Sequence, residues 1–387
     1  MLYFSLSSAL FIGGIFIVYW LHNQYHLDIV VDPTPPPSHA PLISVCVPAR
    51  NEERNIRLCV EAILAQDFPN FEVIVLDDRS HDSTPQILRE LAAQDKSLKV
   101  IPGADLRKGW VGKPHALFQA SSAAQGDWLC FVDADTFLSP NTLSACYAQA
   151  IETRADMFTI MTFQILGSFW EKVVMPIVMT ALSVGFSPRR VNDPNSKDAI
   201  ANGQFILIRR TIYDAIGGHE RVKDRIVEDK AISEQVKWNG FRLVVADGSS
   251  FARTRMYTSL AETWEGWTKN IYLGLSERPA LVLLGAFGAF LALVAALILP
   301  FWPLLGVIWY LRDGGSLALT VVVQSLILWS IVILARARVS IGMGISPAYA
   351  LTLPLGAGVF AAMMFTSTWR VLSGRGITWK GRMYTQK

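Results

Sequence analysis

The sequence contains little charge for a chain of its length. Of 387 residues, 17% are Asp, Glu, Lys or Arg and 51% are hydrophobic, and the mean hydropathy is +0.32. Soluble globular domains carry about 25% charged residues, and disordered chains carry far fewer apolar groups. The composition therefore excludes a disordered protein and an ordinary soluble enzyme. The net charge of +3 is too small to indicate a nucleic-acid partner.

Cysteine is scarce, and two short motifs, C-x-x-C and G-x-G-x-x-G after the first strand, are missing from the sequence. The chain has four cysteines and no C-x-x-C pair: Cys46, Cys59, Cys130 and Cys146. This spacing excludes a zinc site and predicts buried free thiols in a reducing compartment. No G-x-G-x-x-G sequence follows the first apolar strand pattern, which excludes a dinucleotide-dependent dehydrogenase.

Long apolar runs lie at the two ends of the chain. Residues 2–21 carry no charge, follow no basic segment and precede no small-residue cleavage site, so we expect a membrane anchor over 1–22. A proline-rich linker is predicted for 23–41. A membrane region is predicted for 279–370 from three uncharged segments, followed by a basic tail over 371–387; the segments are 281–311, 317–335 and 348–366.

The charges near these segments predict their topology. If the first segment crosses twice, the basic tail lies on the same side as the rest of the protein, and Arg336 and Arg338 lie on the other. If it crosses once, the two sides are exchanged, against the positive-inside tendency, so the charges favour two crossings. Residues 165–187 are apolar with a few charges, and a buried helix and an interfacial helix both remain possible. Residues 258–278 contain Trp264, Trp267 and Lys269, a mixture typical of a membrane interface.

Between these ends, residues 42–257 have the pattern of an α/β domain with a largely parallel sheet. Short apolar runs predict strands at 42–47, 71–76, 98–101, 128–132, 157–163, 204–208 and 241–246. Helical patterns alternate with them at 53–66, 84–93, 114–124, 141–152, 211–216 and 228–238.

The sequence Asp133-Ala134-Asp135 follows the fourth of these strands. In an extended segment, side chains two residues apart point the same way, so both carboxylates can face the crevice at the carboxyl ends of the strands. Two carboxylates suit Mg²⁺ or Mn²⁺, whose remaining positions go to phosphate and water. We therefore expect Asp133 and Asp135 to hold a divalent metal.

Other polar groups follow neighbouring strands. Asp77 and Asp78 end the second strand; the residues after them are also compatible with a simple capping turn before a helix. Lys113 opens a helix, where a lysine and free backbone amides suit a phosphate group, although a solvated lysine is equally compatible. These residues are candidates for binding a ligand.

Downstream, Glu228 and Asp229 open another helix. The helix dipole stabilises acids there, but a carboxylate in this position can also deprotonate a hydroxyl group. Arg253 and Arg255 follow the last predicted strand, and guanidinium groups pair well with a diphosphate.

Taken together, these motifs resemble the family 2 glycosyltransferases. They occur in the order that is usual there: PARNEE, DDRSHDST, GKPHAL, DAD, NGQF and VED. The resemblance implies a GT-A fold, a nucleotide-sugar donor, a divalent metal, and inversion at the anomeric carbon by direct displacement. It covers residues 42–278.

The resemblance also implies roles for single residues. Asp229 would be the base, with Glu228 beside it, and Asp135 would bind the metal together with Asp133, which also faces the sugar or ribose. The remaining substrate-binding residues would be Ala49 and Glu52 at the nucleotide, Asp77 and Asp78 at the uracil or ribose, and Lys113, Gly203, Gln204, Arg253, Arg255, Trp264 and Trp267.

One departure from the family pattern bears on the acceptor. Processive members such as cellulose synthases carry (Q/R)-x-x-R-W, where this chain has Thr263-Trp264-Glu265-Gly266-Trp267. The chain looks more like the hopanoid-associated, carotenoid and ceramide-type lipid glycosyltransferases. We expect transfer of a hexose from a UDP-sugar to a lipid or isoprenoid, by an enzyme in a bacterial plasma membrane with its catalytic domain in the cytoplasm. The alternatives are a polyprenyl-phosphate sugar transferase and a non-catalytic scaffold or sugar-nucleotide sensor.

Overall fold

The computed structural model describes residues 2–24, 27–185, 187–276, 301–379 and 382–384, with isolated positions between 287 and 298. The chain divides into two compact units. The α/β unit comprises His26–Ile165 and Phe186–Met256. The helical unit comprises Met1–Tyr25, Leu166–Gly185 and Tyr257–Lys387. The chain therefore leaves the α/β unit once in its middle and again at its end.

The helices are numbered in chain order through both units. They are α1 (Leu2–Gln24), α2 (Ile56–Leu64), α3 (Thr84–Gln94), α4 (Gly112–Ala123), α5 (Thr142–Glu152), α6 (Phe169–Gly185), α7 (Pro188–Asn192), α8 (Arg210–Ala215), α9 (Gly218–Arg221), α10 (Glu228–Trp238), α11 (Leu260–Ser276), α12 (Trp302–Asp313), α13 (Ser316–Gly342) and α14 (Leu353–Leu372). A 3₁₀ helix, Pro347–Thr352, precedes α14.

The strands belong to three sheets. They are β1 (Ile43–Ala49), β2 (Phe71–Asp77), β3 (Leu98–Pro102), β4 (Trp128–Phe131), β5 (Thr136–Leu138), β6 (Met157–Met161), β7 (Phe163–Gln164), β8 (Ile206–Arg209), β9 (Leu243–Asp247), β10 (Ala252–Thr254), β11 (Ile377–Trp379) and β12 (Arg382–Tyr384). The central sheet has the order β3-β2-β1-β4-β8-β6-β9, β5-β10-β7 form a small sheet, and β11 and β12 form a hairpin.

The central sheet is buried on both faces, which explains its continuous apolar strands. Val45 and Val47 of β1 belong to one hydrophobic cluster, and Cys46 between them belongs to the cluster on the opposite face. All four cysteines are buried free thiols, as the sequence predicts. Only β8 runs antiparallel to its two neighbours. The carboxyl ends of β1, β2, β4 and β6 therefore share one edge with the amino end of β8, and this edge is called the functional edge below.

The structure differs from the predicted elements mainly in short segments. The strand predicted at 157–163 is divided into β6 and β7, and β5, β7 and β10 have two or three residues each, too short to show a periodicity. Helix α10 has the predicted bounds, Glu228–Trp238. For residues 165–187, the sequence is compatible with a buried helix and with an interfacial helix. The structure has α6 there, and α6 belongs to the helical unit.

The proline-rich linker does not begin where the sequence suggested. Val31 donates its amide to the carbonyl of Asp247 at 2.9 Å, and Asp247 donates to Ile29 at 2.8 Å. This short segment pairs with the open edge of β9 and buries Val31. The apolar residues before the prolines therefore cover a sheet edge rather than form part of a spacer.

The segment that contains α6 begins with a capping box, and the segment that contains α11 begins with a variant in which the glutamate accepts from the residue before the N-cap. Ser168 donates its backbone amide to the Glu171 carboxylate, and Glu171 donates its own to the Ser168 hydroxyl at 3.3 Å, before α6. Before α11, the amide of Glu262 donates to the Ser259 hydroxyl at 3.2 Å, and its carboxylate accepts from the Thr258 amide at 2.8 Å.

Within the helical unit, α1 and α13 run in the same direction. Ser7 and Ser8 contact Gln324, and Gly14, seven residues later, packs against Leu328. The carboxyl-terminal end of α13, which carries Arg336, therefore lies near the carboxyl-terminal end of α1. The predicted segment 281–311 lies largely outside the described residues.

Two described stretches are long and apolar enough to cross a membrane by length and composition, Ser316–Gly342 and Pro347–Arg370. Helix α1 contributes a shorter apolar stretch, Phe4–Trp20. Trp267 of α11 is not on the surface of the helical unit, where the sequence suggested it would meet the bilayer. Its side chain is buried, and its Nε1 donates to the sulfur of Met175 at 3.2 Å.

Candidate active site

The loops that follow β1 and β2 are joined by side chains that accept backbone N–H groups. The amides of three consecutive residues donate across the gap: Asn51 to the Ser80 hydroxyl at 2.9 Å, Glu52 to the Thr84 hydroxyl at 2.8 Å and Glu53 to the Asp82 carboxylate at 3.1 Å. Asp82 also accepts from the Thr84 amide at 3.0 Å, so the capping turn is present as well. The PARNEE and DDRSHDST motifs thus form one rigid structure.

The residues predicted to bind the nucleotide lie in these two loops or at the ends of the strands that lead into them. The Ala49 carbonyl accepts from the Asp78 amide at 2.7 Å, and the Asp77 carboxylate accepts from the Ser80 amide at 3.2 Å. Asp78 is buried, and its carbonyl accepts from Arg50 Nη1 at 2.7 Å. Arg50 is a neighbour of Asp78 that sequence reasoning did not include.

Lys113 connects two distant parts of the chain. Its Nζ lies 2.7 Å from the Asp133 carboxylate, after β4, and 2.7 Å from the Glu228 carboxylate, at the start of α10. Burial opposes the charged form of Lys113, but Asp133, Glu228 and Asp229 outweigh it and raise its pKa well above the ordinary value of 10.5. Lys113 is therefore a permanent cation between the acids.

Asp229 is held by two backbone amides. Gly203 donates to its Oδ2 at 3.1 Å and Lys230 donates to its Oδ1 at 2.7 Å. Its pKa is raised from 3.8 to about 6, first by burial and then by the Glu228 charge, while Lys113 acts in the opposite direction. A carboxyl group with this pKa is ionised at neutral pH and accepts a proton more readily than an ordinary aspartate.

These groups surround a small cavity at the functional edge. The cavity lies among Lys113, Leu117, Phe131, Val132, Asp133, Gly203, Ile206, His219, Glu228, Asp229 and Ile232. His219 was not among the predicted residues. Burial and the Lys113 charge lower its pKa to about 3, so its imidazole is neutral, and its Nδ1 lies 2.9 Å from the Tyr213 hydroxyl. The only sequence signal for it is Gly217-Gly218, whose positive φ angles shape the turn before it.

Asp133 and Asp135 do not extend a strand, as the sequence suggested, because β4 ends at Phe131 and both residues lie in the following turn. The turn is fixed by the Thr136 amide, which donates to the Asp133 carbonyl at 3.0 Å, and by the Thr254 hydroxyl, which donates to the Asp135 carbonyl at 3.0 Å. Among the described residues, no group of three or more His, Cys, Asp or Glu could hold a metal ion. Two carboxylates fit a cation whose other ligands come from a diphosphate and water.

The other predicted residues are more dispersed. Arg253 lies on β10 and is exposed, whereas Thr254 beside it is buried against the Asp133–Asp135 turn. Gly203 and Gln204 precede β8 at the functional edge. Trp264 is half-buried in the helical unit. The structure therefore assembles Lys113, Asp133, Gly203, Glu228 and Asp229 around one cavity.

Comparison with known proteins shows what this domain resembles. The family model described as glycosyl transferase family 2 matches residues 44–217. The 4,4'-diaponeurosporenoate glycosyltransferase of Staphylococcus aureus strain MRSA252 is 29% identical over 254 residues, which are 64% of this chain and 66% of the relative. The enzyme of the same name from strain USA300 is 28% identical over 60% of this chain and 61% of the relative. The chain thus matches less than two thirds of these relatives' length.

A solved structure agrees with this fold over nearly the whole chain. The mannosyltransferase PcManGT from Pyrobaculum calidifontis, in complex with GDP-Man and Mn²⁺, has a TM-score of 0.56 at 18% identity, covering 96% of this chain and 99% of that chain. Residues 44–217 thus resemble glycosyl transferase family 2, and the α/β unit has the GT-A fold. The resemblance stated from the motifs and the predicted fold class are confirmed.

Proposed function

We propose that this protein is an inverting, metal-dependent glycosyltransferase. It moves a hexose from a nucleotide-diphosphate sugar, a UDP-hexose, to a hydroxyl or carboxyl group of a membrane lipid or isoprenoid. The observation that carries the proposal is Asp229, a carboxylate with a pKa of about 6 held by the Gly203 and Lys230 amides next to the Lys113–Asp133 pair.

The chain's own residues account for the chemistry of a direct displacement. Asp229 takes the proton of an acceptor hydroxyl as its oxygen bonds to the anomeric carbon, while the bond from that carbon to the diphosphate breaks. Lys113 offers a positive charge to the departing diphosphate. Glu228 holds Lys113 in place at 2.7 Å. Because the diphosphate leaves as an anion, no second protein acid is needed.

A divalent metal fits the carboxylates of Asp135 and Asp133. When bound, Mg²⁺ or Mn²⁺ would neutralise charge on the diphosphate as it departs. The solved mannosyltransferase contains Mn²⁺ with its nucleotide sugar, which supports the same requirement in this chain.

The acceptor class rests on the relatives and on the apolar helices. The relatives are named for an isoprenoid carboxylate, 4,4'-diaponeurosporenoate. The two long apolar stretches support an integral membrane protein, which gives such a substrate access from the bilayer. With a nucleotide-sugar donor, we place the α/β unit in the cytoplasm of a bacterial cell.

The test uses membranes that contain the full chain, incubated with Mg²⁺ or Mn²⁺ and a panel of labelled UDP- and GDP-sugars. We expect label from a UDP-hexose in the organic extract and, where the acceptor is a hydroxyl group, much less label with the Asp229→Asn variant. Label that remains as aqueous polymer, or release of nucleotide with no extractable product, would refute a lipid acceptor.

The product and the variant together distinguish the acceptor classes. A hydroxyl acceptor needs a base, so Asp229→Asn strongly slows the reaction, whereas an ionised carboxylate has no proton to lose and is affected much less. A product that is hydrolysed by mild acid but resists mild alkali would indicate a polyprenyl phosphate acceptor.

A further inference from the structure

Four polar side chains form a hydrogen-bonded group beside the catalytic carboxylates, called the amide cluster here: Thr162, Gln164, Asn202 and Gln204. The side-chain oxygen of Gln204 accepts from Asn202 Nδ2 at 3.2 Å, from Gln164 Nε2 at 3.2 Å and from the Thr162 hydroxyl. Asn202 Nδ2 also donates to the Ile160 carbonyl at 3.0 Å. Three donors therefore converge on one oxygen.

This convergence fixes the orientation of the Gln204 carboxamide. Since the oxygen must face the three donors, the Nε2 group must face the other way. Within the described part of the chain, no acceptor is recorded for Nε2, although the Gln204 residue is only 5% exposed. Nε2 is not one of the fully enclosed unpaired atoms of the described residues, so its N–H groups face accessible space. The arrangement therefore leaves two N–H donors, in a fixed orientation, available to a bound molecule.

Gln66 shows what a structural glutamine looks like in the same unit. It is 7% exposed, and its Nε2 donates to the carbonyls of Ala62 at 3.0 Å and Ser139 at 2.7 Å. Its oxygen accepts from the Leu143 amide at 2.9 Å. Every polar atom of Gln66 is used inside the protein, whereas Gln204 uses only its oxygen.

The position of the amide cluster indicates which substrate it serves. The loops assigned to the nucleotide follow β1 and β2, and Asp133 follows β4. The cluster lies at β8 and β6, the next strands in the sheet, on the side of Asp133 away from the nucleotide loops. Gly203, next to Gln204, donates its amide to Asp229 at 3.1 Å. The cluster is thus beside the base and on the acceptor side of the site.

We propose that the Gln204 Nε2 group donates hydrogen bonds to an oxygen of the acceptor, the hydroxyl or carboxylate that receives the sugar. Thr162, Gln164 and Asn202 are positioning residues that hold the carboxamide in this orientation. This inference rests on the proposed function and deepens it, because it assigns a group that selects acceptors by an oxygen that can accept hydrogen bonds.

The test compares Gln204→Glu with Gln66→Glu. Glutamate at 204 keeps an oxygen for the three donors, but replaces the N–H groups with a second oxygen and adds a negative charge, and Gln66→Glu makes the same change at a site away from the acceptor. The probe acceptor is the organic extract that supports transfer in the panel experiment, titrated by weight, and donor hydrolysis without extract is measured in parallel. We expect Gln204→Glu to raise the apparent KM for the extract about tenfold and to leave the KM for the donor within about twofold.

Two further variants test whether the effect is specific to the orientation of Gln204. Gln66→Glu is expected to lower the Tm and leave the KM for the extract unchanged. Gln164→Leu removes one donor to Gln204 and is expected to raise the KM for the extract by a smaller factor, again with the KM for the donor unchanged. An unchanged KM for the extract with Gln204→Glu, or equal effects on donor and extract, would overturn the inference. Absence of any transfer by the wild type would instead refute the proposed function.

Discussion

The functional edge has two regions that are built differently. In the loops after β1 and β2, backbone amides donate to side-chain oxygens: the oxygens of Ser80, Thr84 and Asn51 accept from the amides of Asn51, Glu52 and His81 respectively. Around Lys113, by contrast, three carboxylates face one cation, and Asp229 and His219 have strongly shifted pKa values. The loops have their hydrogen bonds satisfied internally, whereas the Lys113 group concentrates charge in a small cavity.

This difference suggests a separate role for each region: the loops form the surface for the nucleotide, and the Lys113 region carries out the chemical step. Internally bonded loops make a fixed surface for a nucleotide and change little when it binds. Shifted pKa values concentrate where groups exchange protons or stabilise developing charge. Substitutions in the Lys113 region should therefore change turnover, and substitutions in the loop region should change stability and donor affinity.

The largest effect is expected at the base. Asp229→Asn keeps the size of the side chain and removes its ability to accept a proton, so with a hydroxyl acceptor turnover should fall by at least about 10²-fold while donor binding is retained. Single-turnover kinetics and nucleotide-sugar titration measure the two quantities. Asp224→Asn, at an exposed aspartate nearby, is the matched control. Near-normal turnover with an alcohol acceptor would remove Asp229 as the base.

The next effect concerns the metal. Asp135→Ala removes a carboxylate from the turn after β4, and the variant should lose the enhancement of UDP binding that Mn²⁺ gives the wild type. Isothermal titration of UDP with Mn²⁺ and with EDTA measures this enhancement. A variant that binds UDP as tightly as the wild type in Mn²⁺ would contradict the metal assignment.

The pH dependence should reflect Asp229. Its pKa is raised to about 6, and the base is active only when ionised, so kcat/KM for a hydroxyl acceptor should rise with pH through about 6 and then level off. Below that value, each pH unit should cost about tenfold. The Asp229→Asn variant should lose this inflection, and a profile with the same inflection in the variant would assign it to another group.

The sequence indicated which residues would lie near the functional edge better than it indicated their contacts with one another. Helix α10 and the Asp133 and Asp229 motifs could be recognised because each depends on a local pattern. The bridge from Lys113 to Glu228 could not, because it joins residues far apart in sequence. Gln204 was predicted, but its partner Gln164 was missed for the same reason, since the two residues lie 40 positions apart in the chain.

Two errors have a different physical cause. The aromatic and charged pattern of 258–278 indicates an amphipathic helix but not which side of Trp267 is covered, and packing against Met175 decides that. The segment before the prolines is too short to show a strand pattern, so its pairing with β9 could not be predicted. The pairing forms because the edge strand β9 offers unpaired backbone N–H and C=O groups. Tertiary contacts set both outcomes.

The smallest effects are expected from alanine substitutions at two glycines. One glycine lies beside the Lys113 region and the other beside the loop after β2. A methyl group at Gly203 would lie 3.1 Å from Asp229 Oδ2 and 3.2 Å from Lys113 Nζ, which are the ends of side chains and can move. At Gly103 it would lie 2.9 Å from the Asp77 carbonyl oxygen and 3.1 Å from the Asp78 Cα, which are backbone atoms. Gly203→Ala should therefore lower kcat several-fold with little change in Tm, because it displaces the base.

Gly103→Ala should do the opposite. Overpacking against backbone costs about 1–3 kcal/mol of stability, so the Tm falls while the kcat of the folded enzyme changes little. Thermal unfolding and initial rates on both variants measure the comparison directly. If Gly203→Ala lowered the Tm as much as Gly103→Ala and left kcat intact, the Lys113 region would be a structural salt-bridge network. The distinction between a fixed nucleotide surface and a reactive charged cavity would then be wrong.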